Sequence, residues 1–157
     1  MPNSFIRYLI GLAILFCMVM SCNQGEVYYK FSPIPKNEWG KNQEICFLLD
    51  SSSFIANRNY AISVELTHNV GYQYNNLFLV LEHTLQDSIP TRDTMEFVLV
   101  DDFGKWLGAG NGPTRQLSQL YKTNIKIDTA LHNEITIRHA MQNLKLKGIE
   151  KIGLKIY

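Results

Sequence analysis

Beyond residue 26, the apolar positions of this chain tend to fall on every second residue. Tyr60, Ile62, Val64 and Leu66 alternate with Ala61, Ser63, Glu65 and Thr67. Met95, Phe97 and Leu99 alternate with Thr94, Glu96 and Val98. Ile135 and Ile137 alternate with Thr136 and Arg138, and Ile152, Leu154 and Ile156 with Gly153 and Lys155. A period of two sends neighbouring side chains to opposite faces, so each run predicts a strand with one face in a core. Residues 76–81 are apolar on both faces, which predicts a strand placed centrally in a sheet, with Phe78 in the core. Residues 26–31 read as a first strand, and Pro33 and Pro35 impose an extended link after it.

Turn-forming residues punctuate these runs at 68–71, at 86–92 with Pro90, at 101–105 as a tight reversal, and at Asn111-Gly112-Pro113. About eight strands at this spacing, with little helix, predict an all-β fold: an antiparallel β-sandwich of jelly-roll type. The best helical candidate is residues 114–121, where Leu117, Leu120 and Tyr121 fall at helical spacing. Residues 139–145 read as a short helical turn or an irregular link.

The N-terminus breaks the pattern. Arg7 precedes an unbroken apolar stretch from Leu9, which closes on Val19-Met20-Ser21-Cys22. The stretch is too short for a transmembrane helix, which needs roughly 20 residues. A cationic start, an apolar span and a small residue before the cut describe a secretory signal. A cysteine directly after the cut makes it a bacterial lipoprotein signal, cleaved after Ser21, with the Cys22 thiol taking the diacylglyceryl thioether. The expected organisation is a signal peptide over 1–21, a lipidated tether and first strand over 22–32, and a β-sandwich domain over 33–157. More than one acyl chain on the mature N-terminus makes anchoring stable, whereas a single chain binds marginally.

Charge and cysteine content narrow the picture. The chain has 15 basic and 14 acidic residues. Only Arg7 leaves with the signal, so the mature chain is balanced. That argues against a nucleic-acid partner, which selects for a basic excess, and leaves no polybasic patch to assist membrane attachment. Of three cysteines, Cys17 is removed and Cys22 is acylated, so no intramolecular disulfide forms. Cys46, among Ile45, Phe47, Leu48 and Leu49, reads as a small buried hydrophobe in a strand rather than as a reactive thiol.

Motifs for chemistry are few. His68, His83, His132 and His139 lack the spacing of a zinc site and read as surface or satisfied side chains. There is no nucleophile elbow. Asp101-Asp102 lacks the alternating ligands of a cation loop, and Gly108, Gly110 and Gly112 lack the ending of a phosphate loop. No catalytic residue, metal or cofactor is expected beyond the covalent lipid. The aromatic residues Tyr72, Tyr74 and Trp106 form a candidate interaction surface, for a protein partner or a sugar, against the alternative of ordinary packing.

A set of short motifs spans the chain: Tyr29; Trp39 before a strand ending in Phe47; Gly71-Tyr72-Gln73-Tyr74-Asn75-Asn76-Leu77; and Asp93-Thr94. Gly104-Lys105-Trp106-Leu107-Gly108, residues 137–141 and residues 146–154 complete it. In this order and spacing the chain resembles the gliding-motility lipoprotein family GldH of the Bacteroidetes. It departs from the family pattern at Gln73, where proline is common, and at Gln142, where arginine is frequent. The resemblance implies an envelope lipoprotein of the gliding machinery or its linked secretion system, with no known catalytic residue and no cofactor. Asn23 is not the aspartate linked to inner-membrane retention, and Glu26 alone is not the acidic cluster linked to surface export. The expected location is therefore the periplasmic face of the outer membrane. Expected partners are the membrane, through the lipid, and other envelope proteins. The alternative function is a lipid-anchored carbohydrate-binding module.

Overall fold

The computed structural model describes residues 25–157; the leader, Ser21 and Cys22 lie outside the described residues. The strands are β1 (Tyr28–Pro33), β2 (Glu38–Gly40), β3 (Ile45–Leu49), β4 (Asn59–Asn69), β5 (Asn76–His83), β6 (Thr91–Val98), β7 (Thr114–Lys126), β8 (Asn133–His139), β9 (Lys145–Lys147) and β10 (Ile149–Ile156). Two four-stranded sheets have the orders β1-β10-β4-β7 and β3-β8-β5-β6, and β2 pairs with β9 in a short ribbon. All pairings are antiparallel. Among the eight sandwich strands only the step from β5 to β6 stays within one sheet. Every other connection crosses to the opposite sheet, which is the double Greek key of a jelly roll.

The period-two pattern explains why the sheets face each other. Ile62, Val64 and Leu66 of β4 pair with Ile156, Leu154 and Ile152 of β10, and all six are buried. Leu77, Leu79 and Leu81 of β5 and Ile135 and Ile137 of β8 supply the opposing face of one continuous core. The β2–β9 ribbon adds Trp39 and its partner Leu146, both buried. Trp39 Nε1 donates to the Gln43 carbonyl at 2.9 Å, and its ring meets His139 edge-on at 5.4 Å. β1, the expected first strand, pairs with β10 along its whole length and so forms part of the sandwich.

Several sequence expectations need correction. Residues 114–121 are not helical but open β7, the longest strand, whose residues pair with β4 from Asn69↔Thr114 to Asn59↔Lys126. β7 is an edge strand, mostly half-buried, with irregular register near Ile62. Its hydrophobic alternation is therefore weak, and the helical spacing of three apolar residues is coincidental. Phe78 is not core: β5 does lie inside its sheet, but only one face of that sheet is covered, and Phe78 is 36% exposed on the other. Cys46 is exposed for the same reason, being on the outer face of β3. The thiol lies 3.6 Å from Glu134 Oε2, and burial together with this carboxylate raises its pKa, which disfavours the thiolate. His68 and Asn69 are strand residues at the end of β4, not loop. The reversal at 101–105 does form: Asp101 Oδ1 accepts from the backbone N–H groups of Phe103 and Lys105, at 3.0 and 2.9 Å.

The topology gives the sandwich two distinct ends. One gathers the start of β1, the end of β10 and the loops 50–58, 84–90 and 127–132. The other gathers connections 34–44, 70–75, 99–113 and 140–148. Adjacent leucines in β3 test the assignment of faces, because Leu49 is 4% and Leu48 57% exposed. Leu49→Ala is expected to lower unfolding free energy by about 2–5 kcal/mol, and Leu48→Ala to change it by no more than about 0.5 kcal/mol. Urea denaturation of both variants reads the difference.

Candidate functional site

At the end away from the described termini, the three predicted aromatic residues come together around a histidine that the turn residues at 68–71 suggested was in a loop. His68, fully buried, lies 5.0 Å from the Trp106 ring and 6.2 Å from the Tyr72 ring, and Tyr72 meets Tyr74 edge-on at 5.5 Å. Tyr72 is only 3% exposed, and its hydroxyl donates to the Asn76 carbonyl at 3.0 Å. Burial, with Tyr74 beside it, holds its pKa above the ordinary phenol value. Tyr74 and Trp106 are half-buried. The arrangement is thus a ring cluster rooted in the core with two partly open members, rather than three rings on a flat surface. Extending the alternation of Tyr60, Ile62, Val64 and Leu66 by one step would have found His68.

Beside this cluster, the outer face of the sheet β1-β10-β4-β7 carries a groove of about 840 Å³ with a mixed polar and apolar lining. Glu65 and Thr67 of β4 form part of its lining, with Gln116 of β7, Asn111, Glu150 and Lys151 around them. Gln116 Nε2 donates to Glu65 Oε2 at 3.3 Å, and Asn69 Nδ2 and Thr114 Oγ1 donate to Glu150 Oε1 at 3.2 and 3.4 Å. The buried Thr67 hydroxyl has no hydrogen-bond partner. One wall is the glycine-rich segment after Trp106, which adds to the edge of β7 through two hydrogen bonds between Ala109 and Gln116, at 2.9 and 2.7 Å. Gly108 makes this approach possible: its φ is +91°, and a Cβ there would lie 2.5 Å from the Gln116 carbonyl oxygen. On the far side Phe31 packs against Gly153, with Lys151 Nζ 4.5 Å from its ring centroid.

The alternation puts Ser63, Glu65 and Thr67 on the polar face of β4, opposite its apolar face. All three are nonetheless buried, and the alternation gives no sign of that covering. Chemically the groove offers carboxylate acceptors, amides that donate and accept, and a hydroxyl. Its lining contains no histidine or cysteine. Among the described residues, no three His, Cys, Asp or Glu side chains converge as metal ligands.

A second polar cluster closes the edge between β7 and β6. Lys122 Nζ lies 2.8 Å from Asp93 Oδ2 and 2.9 Å from His83 Nε2, and the Tyr121 hydroxyl donates to Asp93 Oδ2 at 2.6 Å. Hydrogen bonds from Lys122 and Tyr121 hold the Asp93 pKa down. Burial and the Lys122 charge hold the His83 pKa down, so the imidazole is neutral and accepts from the ammonium. His68 and His139 are also buried, with pKa values lowered chiefly by desolvation. Three of the four histidines are therefore interior, and of the two alternatives that the sequence offered, surface or satisfied, only His132 takes the first. The imidazoles are depressed in the folded state, so the unfolded chain takes up protons first as pH falls. Stability is expected to decline below about pH 6.5, with a second loss below about pH 4 as Asp93 protonates. Melting temperatures measured between about pH 7.5 and 3.5 check this; a flat profile contradicts it.

Comparison with known proteins follows the same lines. The family model for the GldH lipoprotein matches residues 26–156. The "Gliding motility lipoprotein GldH homolog" of Christiangramia forsetii is 29% identical over 163 residues, covering 99% of this chain and 97% of the relative. The "Gliding motility lipoprotein GldH" of Flavobacterium johnsoniae is 24% identical over 157 residues, covering 93% and 94%. Among solved structures, a carbohydrate binding module from a glycoside hydrolase family 9 protein of Ruminococcus flavefaciens aligns at TM-score 0.43 and 12% identity. It covers 82% of this chain and 98% of that one, and the likeness is too weak to carry weight. The match over nearly all of the described sandwich, with two relatives covered almost end to end, establishes that the chain belongs to the GldH lipoprotein family.

Proposed function

We propose that this protein is a non-catalytic assembly component of the gliding machinery or its linked secretion system. In this reading it is held by acylated Cys22 on the periplasmic face of the outer membrane. The observation that carries the reading is the family match through residues 26–156, to relatives named as gliding motility lipoproteins; the Ser21-Cys22 sequence upstream, read as a lipoprotein signal, supports it. The chemistry of the site is consistent with it. Two partly open rings, Tyr74 and Trp106, lie beside a groove of mixed lining at the end opposite the described termini, a position suited to gripping a partner protein.

A second reading is favoured by the groove itself. Carboxylates, amides and a hydroxyl without a partner, beside the Phe31 ring, match the mixed donors and acceptors of a neutral glycan. In it the module binds carbohydrate rather than an envelope protein.

Crosslinking in intact cells, followed by purification of the acylated protein, separates the two. The first reading expects motility or secretion subunits to co-purify, and expects Cys22→Ser to abolish both those crosslinks and membrane association. Recovery of no such subunit, with retention on an immobilised neutral polysaccharide that Glu65→Gln weakens about tenfold, supports the second.

A further inference from the structure

The structure decides which end of the sandwich an N-terminal anchor brings to a membrane. The start of β1 is fixed to the end of β10: Val27 N–H donates to the Ile156 carbonyl at 2.8 Å, and Glu26 pairs with Lys155 at 3.1 Å. The chain terminus is fixed beside them, where Ala61 and Tyr157 exchange backbone hydrogen bonds of 2.8 and 3.1 Å. The loops 50–58, 84–90 and 127–132 share this end and are tied to one another. Asp128 N–H donates to the Leu85 carbonyl, and Ser51 Oγ to the Leu131 carbonyl, both at 2.8 Å.

Only four peptide steps separate Cys22 from Glu26, a reach of at most about 14 Å. The strands that connect the two ends are longer. The span of β4, Asn59–Asn69, corresponds to about 36 Å. Exposed apolar side chains occur at both ends: Ile55 (60%) and Ile89 (76%) near the anchor, Phe103 (97%) and Leu144 (79%) at the other. Hydrophobicity alone does not choose between them, but the length of the tether does.

We propose that the loops carrying Ile55 and Ile89 rest on the lipid bilayer, with these two side chains in the interfacial layer, as a second contact that sets the orientation of the domain. The inference rests on acylation of Cys22. The charges nearby are mixed, with Arg58 and Lys126 among Asp50, Asp87 and Asp128. The contact therefore needs apolar burial and no anionic headgroup. Its consequence is that the ring cluster, the groove, Phe103 and Leu144 are held away from the bilayer, where a partner reaches them.

The test uses the full acylated lipoprotein in phosphatidylethanolamine–phosphatidylglycerol vesicles. Cys46→Ser removes the exposed thiol, and nitroxides are attached through Ile55→Cys, Ile89→Cys, Phe103→Cys and Leu144→Cys, with far-UV circular dichroism confirming the fold of each. On vesicle binding, the ratio of oxygen to nickel-chelate accessibility is expected to rise several-fold at 55 and 89 and to stay unchanged at 103 and 144, at low and high salt alike. Protein that sediments with vesicles while 55 and 89 remain as aqueous as 103 overturns this inference alone. Protein that fails to sediment with vesicles overturns the anchorage reading together with it.

Discussion

The pairing of β4 with β10 is the contact on which the rest of the molecule is hung. Ile62, Val64 and Leu66 meet Ile156, Leu154 and Ile152 in register, all of them out of water. Burying each such side chain is worth roughly 1.5–3 kcal/mol, comparable with a large fraction of the net stability of a domain. β10 carries β1 on its other side, and β4 carries β7. The first strand of the sandwich therefore has no hydrogen-bonded place until the last strand has been delivered. Contacts of such long sequence separation make folding slow relative to a helical domain of this size, and they tie the two described termini to a single end.

That tie shapes the functional reading. A lipid on the N-terminus is useful as an anchor only if the domain cannot peel away from it. In the proposed anchorage, the Glu26–Lys155 pair and the β1–β10 ladder would transmit attachment at Cys22 into the β1-β10-β4-β7 sheet. The opposite end is then free to hold the cluster of His68, Tyr72, Tyr74 and Trp106 and the adjoining groove. The segment after Trp106 forms part of the groove by adding to the edge of β7, a geometry that depends on glycine at 108. Adding that segment also covers part of an edge strand that would otherwise offer unpaired backbone groups.

Much of this was legible in the chain. The strands with strict alternation, β4, β6, β8 and β10, and the turn residues between them gave the sandwich. The reversal at 101–105 was readable from Asp101 and Gly104. What escaped has a common cause: alternation tells which residues share a face but not whether that face is covered. Phe78 and Cys46 were placed inside because their neighbours are apolar, although their faces are open. Ser63, Glu65 and Thr67 form the polar face of β4, and nothing in their alternation shows that this face too is covered. β7 was misread as helix because an edge strand with a polar seam (Gln119, Tyr121 and Lys122, bonded to Glu96, Asp93 and His83) lacks the apolar stripe that identifies a strand. The groove arises from β4, β7, β10 and a loop, so no local motif announces it.

Native-state hydrogen exchange on the acylated protein tests the central claim most directly. If β1, β10 and β4 form one mechanical unit, their amides exchange together, at the free energy of global unfolding, with protection in β1 extending to Val27. Exchange of β1 or β10 through a separate opening of lower free energy, while β4 stays protected, would contradict the account.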